Sequence, residues 1–218
     1  MLETFKNAWR IEDLRKKILY TLLMLLVYRI GTSFIPIAGM DVAAIKQTVE
    51  GSDILGFLNM ITGGSLAGFT IFAVGISPYI TASIVMQLLT FAIPALERLS
   101  KEGGEEGREK LKRITRYVGI GLALIMSIGM VMSLRSYMIT TDLLSKITMV
   151  LTLTAGACIV MWMGEKITEK GIGNGVSLII FVGIVARLPV TAWSFMQNIF
   201  AGEVNAWALL PIVVIYVA

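Results

Sequence analysis

No charged side chain stands between Asp53 and Glu97, a run of 43 residues. A helix crosses the hydrocarbon layer in about 20 residues. The run is too long for one crossing, and two crossings with a turn would barely fit. It breaks naturally at "GGSLAG", where Gly63, Gly64 and Gly68 permit a bend. Ile54 to about Ile61 reads as a short apolar helix that cannot span. Phe72 to Ile93 reads as a full span closed by Pro94. A segment that enters and turns back is re-entrant. Irregular backbone at membrane depth is tolerated only inside protein or beside a water-filled cavity. The short helix is therefore predicted to point into the middle of the protein.

The rest of the chain agrees with a membrane setting. Hydrophobic residues make up 56% of the 218 positions and charged residues 16%; a soluble domain carries about 25% charge. Mean hydropathy is +0.79. Span 1 runs from Ile18 to Ile35 and contains Arg29, which must snorkel or find a polar surface. Residues 36 to 53 read as an external loop, and "ERLSKEGGEEGREKLKRITR" as a charged cytoplasmic one. Span 3 covers Tyr117 to Leu134 and span 4 Ile147 to Gly164, joined by a short connection over 135 to 146. "EKITEKGIGNG" is a tight polar turn. Span 5 starts near Asn174 and runs past Arg187, which is expected to snorkel outward. Residues 1 to 17 read as an amphipathic interfacial helix, with Phe5, Trp9, Ile11 and Leu14 at helical spacing, the alternative being a simple charged tail. Residues 194 to 218 read as an external loop and the start of an incomplete sixth span. There is no sign of a cleavable signal peptide.

Basic residues fix the orientation. If the short helix does not cross, the N-terminus, the 98–116 segment and the turn after span 4 share one side. That side holds fourteen lysines and arginines. The other holds Lys46, Arg135, Lys146 and Arg187. The positive-inside rule puts the first set in the cytoplasm. Counting the short helix as a crossing would place Arg98 to Arg116 outside and spoil the bias.

The chemistry of catalysis is missing. The chain has no histidine and one cysteine, Cys158, so a zinc, haem or iron–sulfur centre has no ligand set and neither metal nor cofactor is expected. Ser77, Ser83, Ser127 and Ser177 have no histidine or matching lysine to activate them. "GIGNGVS" looks like a phosphate loop but lacks the strand and lysine that such a loop needs; it reads as a helix start at a turn. One further pattern is worth following. Pro78 lies early in the second full span, with Ile80 and Ile84 one turn apart beyond it, and Ile180 and Ile184 repeat the spacing in span 5. Stiff β-branched groups facing one another across a cavity make a constriction that excludes water. The plain alternative is that they face lipid or neighbouring helices.

Three stretches, "GISPYITASIVMQLL", "KEGGEEGREKLKRITRY" and "MWMGEKITEKGIGNGVSLIIFVGIVA", resemble the SecY family, the channel-forming subunit of the protein-secretion translocon. The likeness runs the length of the chain. It implies an all-α polytopic fold: the first five-span half of a ten-span channel, with a re-entrant plug half-helix. By resemblance the plug comprises Leu55, Gly56, Phe57, Leu58, Asn59, Met60, Ile61, Thr62, Gly63, Gly64, Ser65 and Leu66. The pore ring would take Ile80, Ile84, Ile180 and Ile184. The lateral gate would use Pro78, Ile84, Gln87 and Thr90. Arg98, Lys101, Arg108, Lys110, Lys112 and Arg113 can touch a cytosolic partner, or serve only as a topology signal. Implied partners are SecE-like and SecG-like small subunits, a SecA-like motor ATPase, the ribosome, signal peptides and translocating chains, lipid, and the second half of the same protein. The implied location is the bacterial cytoplasmic membrane, with the N-terminus inside.

Two other readings remain open at this point. A small-solute transporter also uses broken helices, but it needs polar groups at mid-depth, which are few here. An intramembrane enzyme needs the histidine and carboxylates that are missing.

Overall fold

The structure is a computed structural model that describes residues 11–101, 103–140 and 142–187, together with 189, 193 and 197. The first ten residues of the expected interfacial helix and nearly all of the 194–218 segment lie outside the described residues. Among the described residues eight α-helices follow one another: α1 (Glu12–Phe34), α2 (Val42–Glu50), α3 (Asp53–Ile61), α4 (Ser77–Ala92), α5 (Pro94–Lys101), α6 (Gly104–Ser133), α7 (Leu143–Lys170) and α8 (Gly175–Val185). α1, α6 and α7 are each long and apolar enough to cross a membrane. Counting the bent pair α4–α5 as one more, the described residues hold up to four such crossings. The protein is an all-α, multi-pass membrane protein.

α1, α6 and α7 carry opposite faces of different character. On α1, Thr21, Leu25, Tyr28 and Thr32 are buried at helical spacing, whereas Leu22, Leu23, Leu26 and Val27 are exposed. Exposed leucine costs nothing against lipid tails, which are as apolar as leucine itself. On α6 the buried stripe is Gly119, Ala123, Ser127 and Val131. These small residues let α4 and α7 approach closely. The Tyr28 and Phe72 rings stack at 5.8 Å with 14° between their planes, and this pair joins α1 to the bundle centre.

Several boundaries differ from the sequence expectation. Residues 36 to 53 are not all loop, because α2 forms there. Asp41 caps it by accepting from the Ala43 and Ala44 amides at 3.1 Å each, and Ile45 and Val49 bury its inner face. The full span after the bend starts as a helix at Ser77, not Phe72. Residues 62–76 are mostly turns, and they run through the core: Phe69 is fully buried, with Ala67, Phe72 and Ala73 nearly so. Their backbone is paired. The Ile37 amide donates to the Phe69 carbonyl at 2.9 Å and the Ile71 amide to the Ile35 carbonyl at 3.1 Å. This is the condition for irregular chain at membrane depth.

Pro94 does not end the helical chain. It opens α5, which turns away from α4 by 102°; proline suits a first helical position because its missing amide is unpaired there anyway. The charged "loop" is likewise largely helical, divided between α5 and the first three turns of α6. α7 runs past Gly164 to Lys170, so the polar turn is only residues 171–174. The connection after α6 contains a 3-10 turn over Arg135–Tyr137.

Candidate functional site

α3 has nine residues, a rise of about 13 Å against a hydrocarbon layer of about 30 Å. It packs on α2 and α8. One side is apolar and open, with Ile54, Phe57 and Leu58 exposed; the other carries Asn59, only 1% exposed.

Asn59 organises the bend that follows. Its side-chain oxygen accepts from the Ala67 amide at 3.0 Å, and its carbonyl accepts from the Thr62 hydroxyl at 3.2 Å and the Gly64 amide at 2.8 Å. The Ser65 hydroxyl donates to the Thr62 carbonyl at 2.9 Å. Gly63 and Gly64 take φ of +67° and +96°, a left-handed region open to glycine. The expected glycine bend is present, and it is held by hydrogen bonds rather than loose.

Two arginines reach this bend. Arg29 Nη1 donates to the Gly63 carbonyl at 2.8 Å, which is the polar surface an arginine inside span 1 requires. Arg187 does not snorkel away from the protein. Its guanidinium lies over Gly64, where a Cβ would stand 2.6 Å from Nη2. Both arginines line a cavity of about 490 Å³ together with Lys46, Glu50 and the bend itself. α8 approaches from the far side, and a Cβ on Gly183 would stand 2.8 Å from the Ile61 carbonyl oxygen.

The four isoleucines fall into two situations. Ile80 and Ile180 are half-buried and pack against one core cluster, which includes Phe72, Ile76, Val160 and Ile179. Ile84, 52% exposed, and the half-buried Ile184 lie outside that cluster. Pro78 is buried in the first turn of α4. Gln87 is exposed, and Thr90 spends its hydroxyl on the Met86 carbonyl at 2.7 Å. Gln87 and Thr90 line a cavity of about 280 Å³ between α4, α5 and α6. Ile84, Leu88 and Phe91 are exposed apolar side chains of α4, and Phe91 also borders this cavity.

Arg98, Lys101, Arg108, Lys110, Lys112 and Arg113 are all exposed. Lys101 pairs with Glu97 at 2.7 Å and Lys110 with Glu106 at 3.1 Å. The other four form no ion pair among the described residues. Sequence reasoning missed the pair joining α6 to α7, in which Arg116 forks onto Glu165, with Nε donating to Oε1 at 3.3 Å. Hydrogen bonding to that carboxylate holds the Arg116 guanidinium above its ordinary pKa. A charge pair 49 residues apart in sequence leaves no local signal. Among the described residues no group of three His, Cys, Asp or Glu could hold a metal ion.

The family model of SecY matches residues 70–218. The chain belongs to the SecY family. Over 214 residues it is 44% identical to a protein translocase subunit SecY of Streptomyces scabiei, covering 91% of this chain and 48% of that protein. This SecY-family chain thus spans about half the length of the curated relatives it matches and corresponds to the N-terminal portion. Its fold matches Sec61 in the canine ribosome–channel complex from the endoplasmic reticulum with a TM-score of 0.67 at 22% identity, covering 91% of this chain and 44% of that one. It also matches a SecY protein whose plug domain stabilises the closed state of its translocation channel, with a TM-score of 0.61 at 21% identity and the same coverage.

Proposed function

We propose that the chain forms the first half of a protein-conducting channel and is not an enzyme. It passes unfolded polypeptides across the membrane and releases apolar segments sideways into lipid. Residues 18–193 hold spans 1 to 5, and residues 194–218 lead into span 6. Leu55 to Leu66 plug the passage from the external side. Ile80, Ile84, Ile180 and Ile184 supply this half's share of the narrow waist, and α4 supplies one side of the lateral gate through Pro78, Ile84, Gln87 and Thr90.

The observation that carries this reading is a nine-residue apolar helix that cannot cross, returned by a buried glycine bend beside α8. An apolar waist suits the task, because side chains without hydrogen-bond partners let many different sequences slide past. Family membership and the open faces of α3 and α4 support it further. A solute transporter would instead call for charged or polar groups converging at mid-depth, and the two arginines here are engaged with the bend.

The location we infer is a bacterial cytoplasmic membrane with the N-terminus inside, supported by the basic bias and by bacterial relatives. The exposed cations of α5 and α6 suit a ribosome or a SecA-like motor. SecE-like and SecG-like subunits and the second half of the protein complete the assembly, with signal peptides and lipid meeting the gate.

The test is site-specific photocrosslinking in the full-length protein. Probes at Ile80 and Ile184 should capture a stalled translocating chain, and a probe at Leu26 should capture only lipid. Lipid adducts alone at Ile80 and Ile184 would overturn the channel reading.

A further inference from the structure

We propose that Arg29 is the positioning residue that holds the plug shut, acting on the hinge of α3 rather than on its body, with Arg187 bracing the same hinge from above. This deepens the channel reading and rests on it.

α3 can pivot at this hinge, because two consecutive left-handed glycines stand there. Arg29 donates to the carbonyl of the first, at 2.8 Å. Arg187 covers the second, its Nη2 2.6 Å from where a Cβ on Gly64 would stand. A hydrogen bond from a guanidinium is about twice as strong as a neutral one, and it strengthens further away from bulk water. A cation inside a span is also costly, so its position marks a demand of the protein rather than chance. The body of α3 is held differently, by apolar contact and by the approach of Ile61 to Gly183. Displacing α3 therefore requires Gly63 to leave Arg29. Closure is set by an interaction that a passing chain can break once and that re-forms when the passage empties.

The experiment uses full-length protein in proteoliposomes, with Cys158→Ala and replacement of any cysteine in the second half removing native thiols, and Ser65→Cys as the reporter. Ser65 is fully buried within the hinge, so a membrane-impermeant maleimide added outside should label it slowly. Arg29→Gln should speed labelling at least tenfold and raise resting ion leak, and Arg29→Lys should fall between the two. If Arg29→Gln does not insert as a monodisperse protein, the Arg29→Lys rate decides, with at least a twofold rise expected. Unchanged labelling in the variants would overturn the clamp. Ile84→Asn, tested in parallel, separates this from failure of the channel reading. A leak there with a tight Arg29→Gln protein defeats the clamp alone. Tightness in both, with only lipid adducts at Ile80, defeats both.

Discussion

The carbonyl oxygen of Ile61 lies 2.8 Å from the point where a Cβ on residue 183 would stand, so α3 ends against bare α8 backbone. Real Cβ contacts do not come so close to a backbone atom, and any side chain at 183 must push the end of α3 aside. We expect Gly183→Val to loosen closure while the bundle stays folded. Resting conductance in a planar bilayer should rise, with thermal unfolding changed by only a few degrees. A tight channel with that variant would show that α3 does not seal through this contact.

Ile84→Asn should let water and ions through. An amide wets a constriction that a branched alkyl group keeps dry. Ile84 is 52% exposed, so the substitution empties no closed core site of the kind that makes truncations costly. Single-channel recording of the resting protein measures the leak, and an unchanged baseline would remove Ile84 from the waist.

Phe72 is 3% exposed and stacks on Tyr28. Phe72→Ala should cost about 3–5 kcal/mol, the range for emptying a large aromatic site in a core. Denaturant titration in mixed micelles would read it. Loss below about 1 kcal/mol would mean that the surrounding turns collapse into the space, because uncollapsed cavities are what make such losses large.

The Arg116–Glu165 pair joins α6 to α7 with Glu165 largely shielded and Arg116 half-exposed. A double-mutant cycle with Arg116→Ala and Glu165→Ala should give a coupling of about 1 kcal/mol, at the upper end for partly solvated pairs. High salt should reduce it. Zero coupling at low salt would leave the pair without a role in stability.

Removing the plug tests how separable it is. A helix that spans nothing looks removable from Leu55 to Leu66. Leu66 and Ser65 belong to the buried core, however, and Asn59 ties the chain to Ala67. Deleting Leu55 to Leu58 should raise the leak and preserve folding, whereas deleting through Leu66 should also lower thermal stability. Equal stability of the two deletions by calorimetry would show that the Asn59 network contributes nothing.

How much of this was readable in the residues follows from the range of each signal. The re-entrant break was legible, because uncharged length and clustered glycines are local quantities. So was the start of α8: Asn174 accepts from the Val176 and Ser177 amides at 3.0 and 3.3 Å, a cap that its sequence advertises. Helix ends hidden by charge were not. The glycines at 103, 104 and 107 suggested a loop, yet residues 104–133 form one helix, because tertiary packing of α5 on α6 outweighs the propensity of single glycines. α2 was missed because nine residues with two buried side chains carry too short a period to stand out. The partners of Arg29 and Arg116 were out of reach, since contacts 34 and 49 residues apart depend on the fold itself.

Two-sided thiol labelling tests the central claim most directly. In a background freed of native cysteines, Cys158 and any in the second half, Thr48→Cys and Ser100→Cys flank the uncharged run. If α3 dips and returns, an impermeant reagent labels Thr48→Cys only from outside and Ser100→Cys only from the cytoplasm. Labelling of both positions from the same side would mean that α3 crosses, and the plugged-channel account would be wrong.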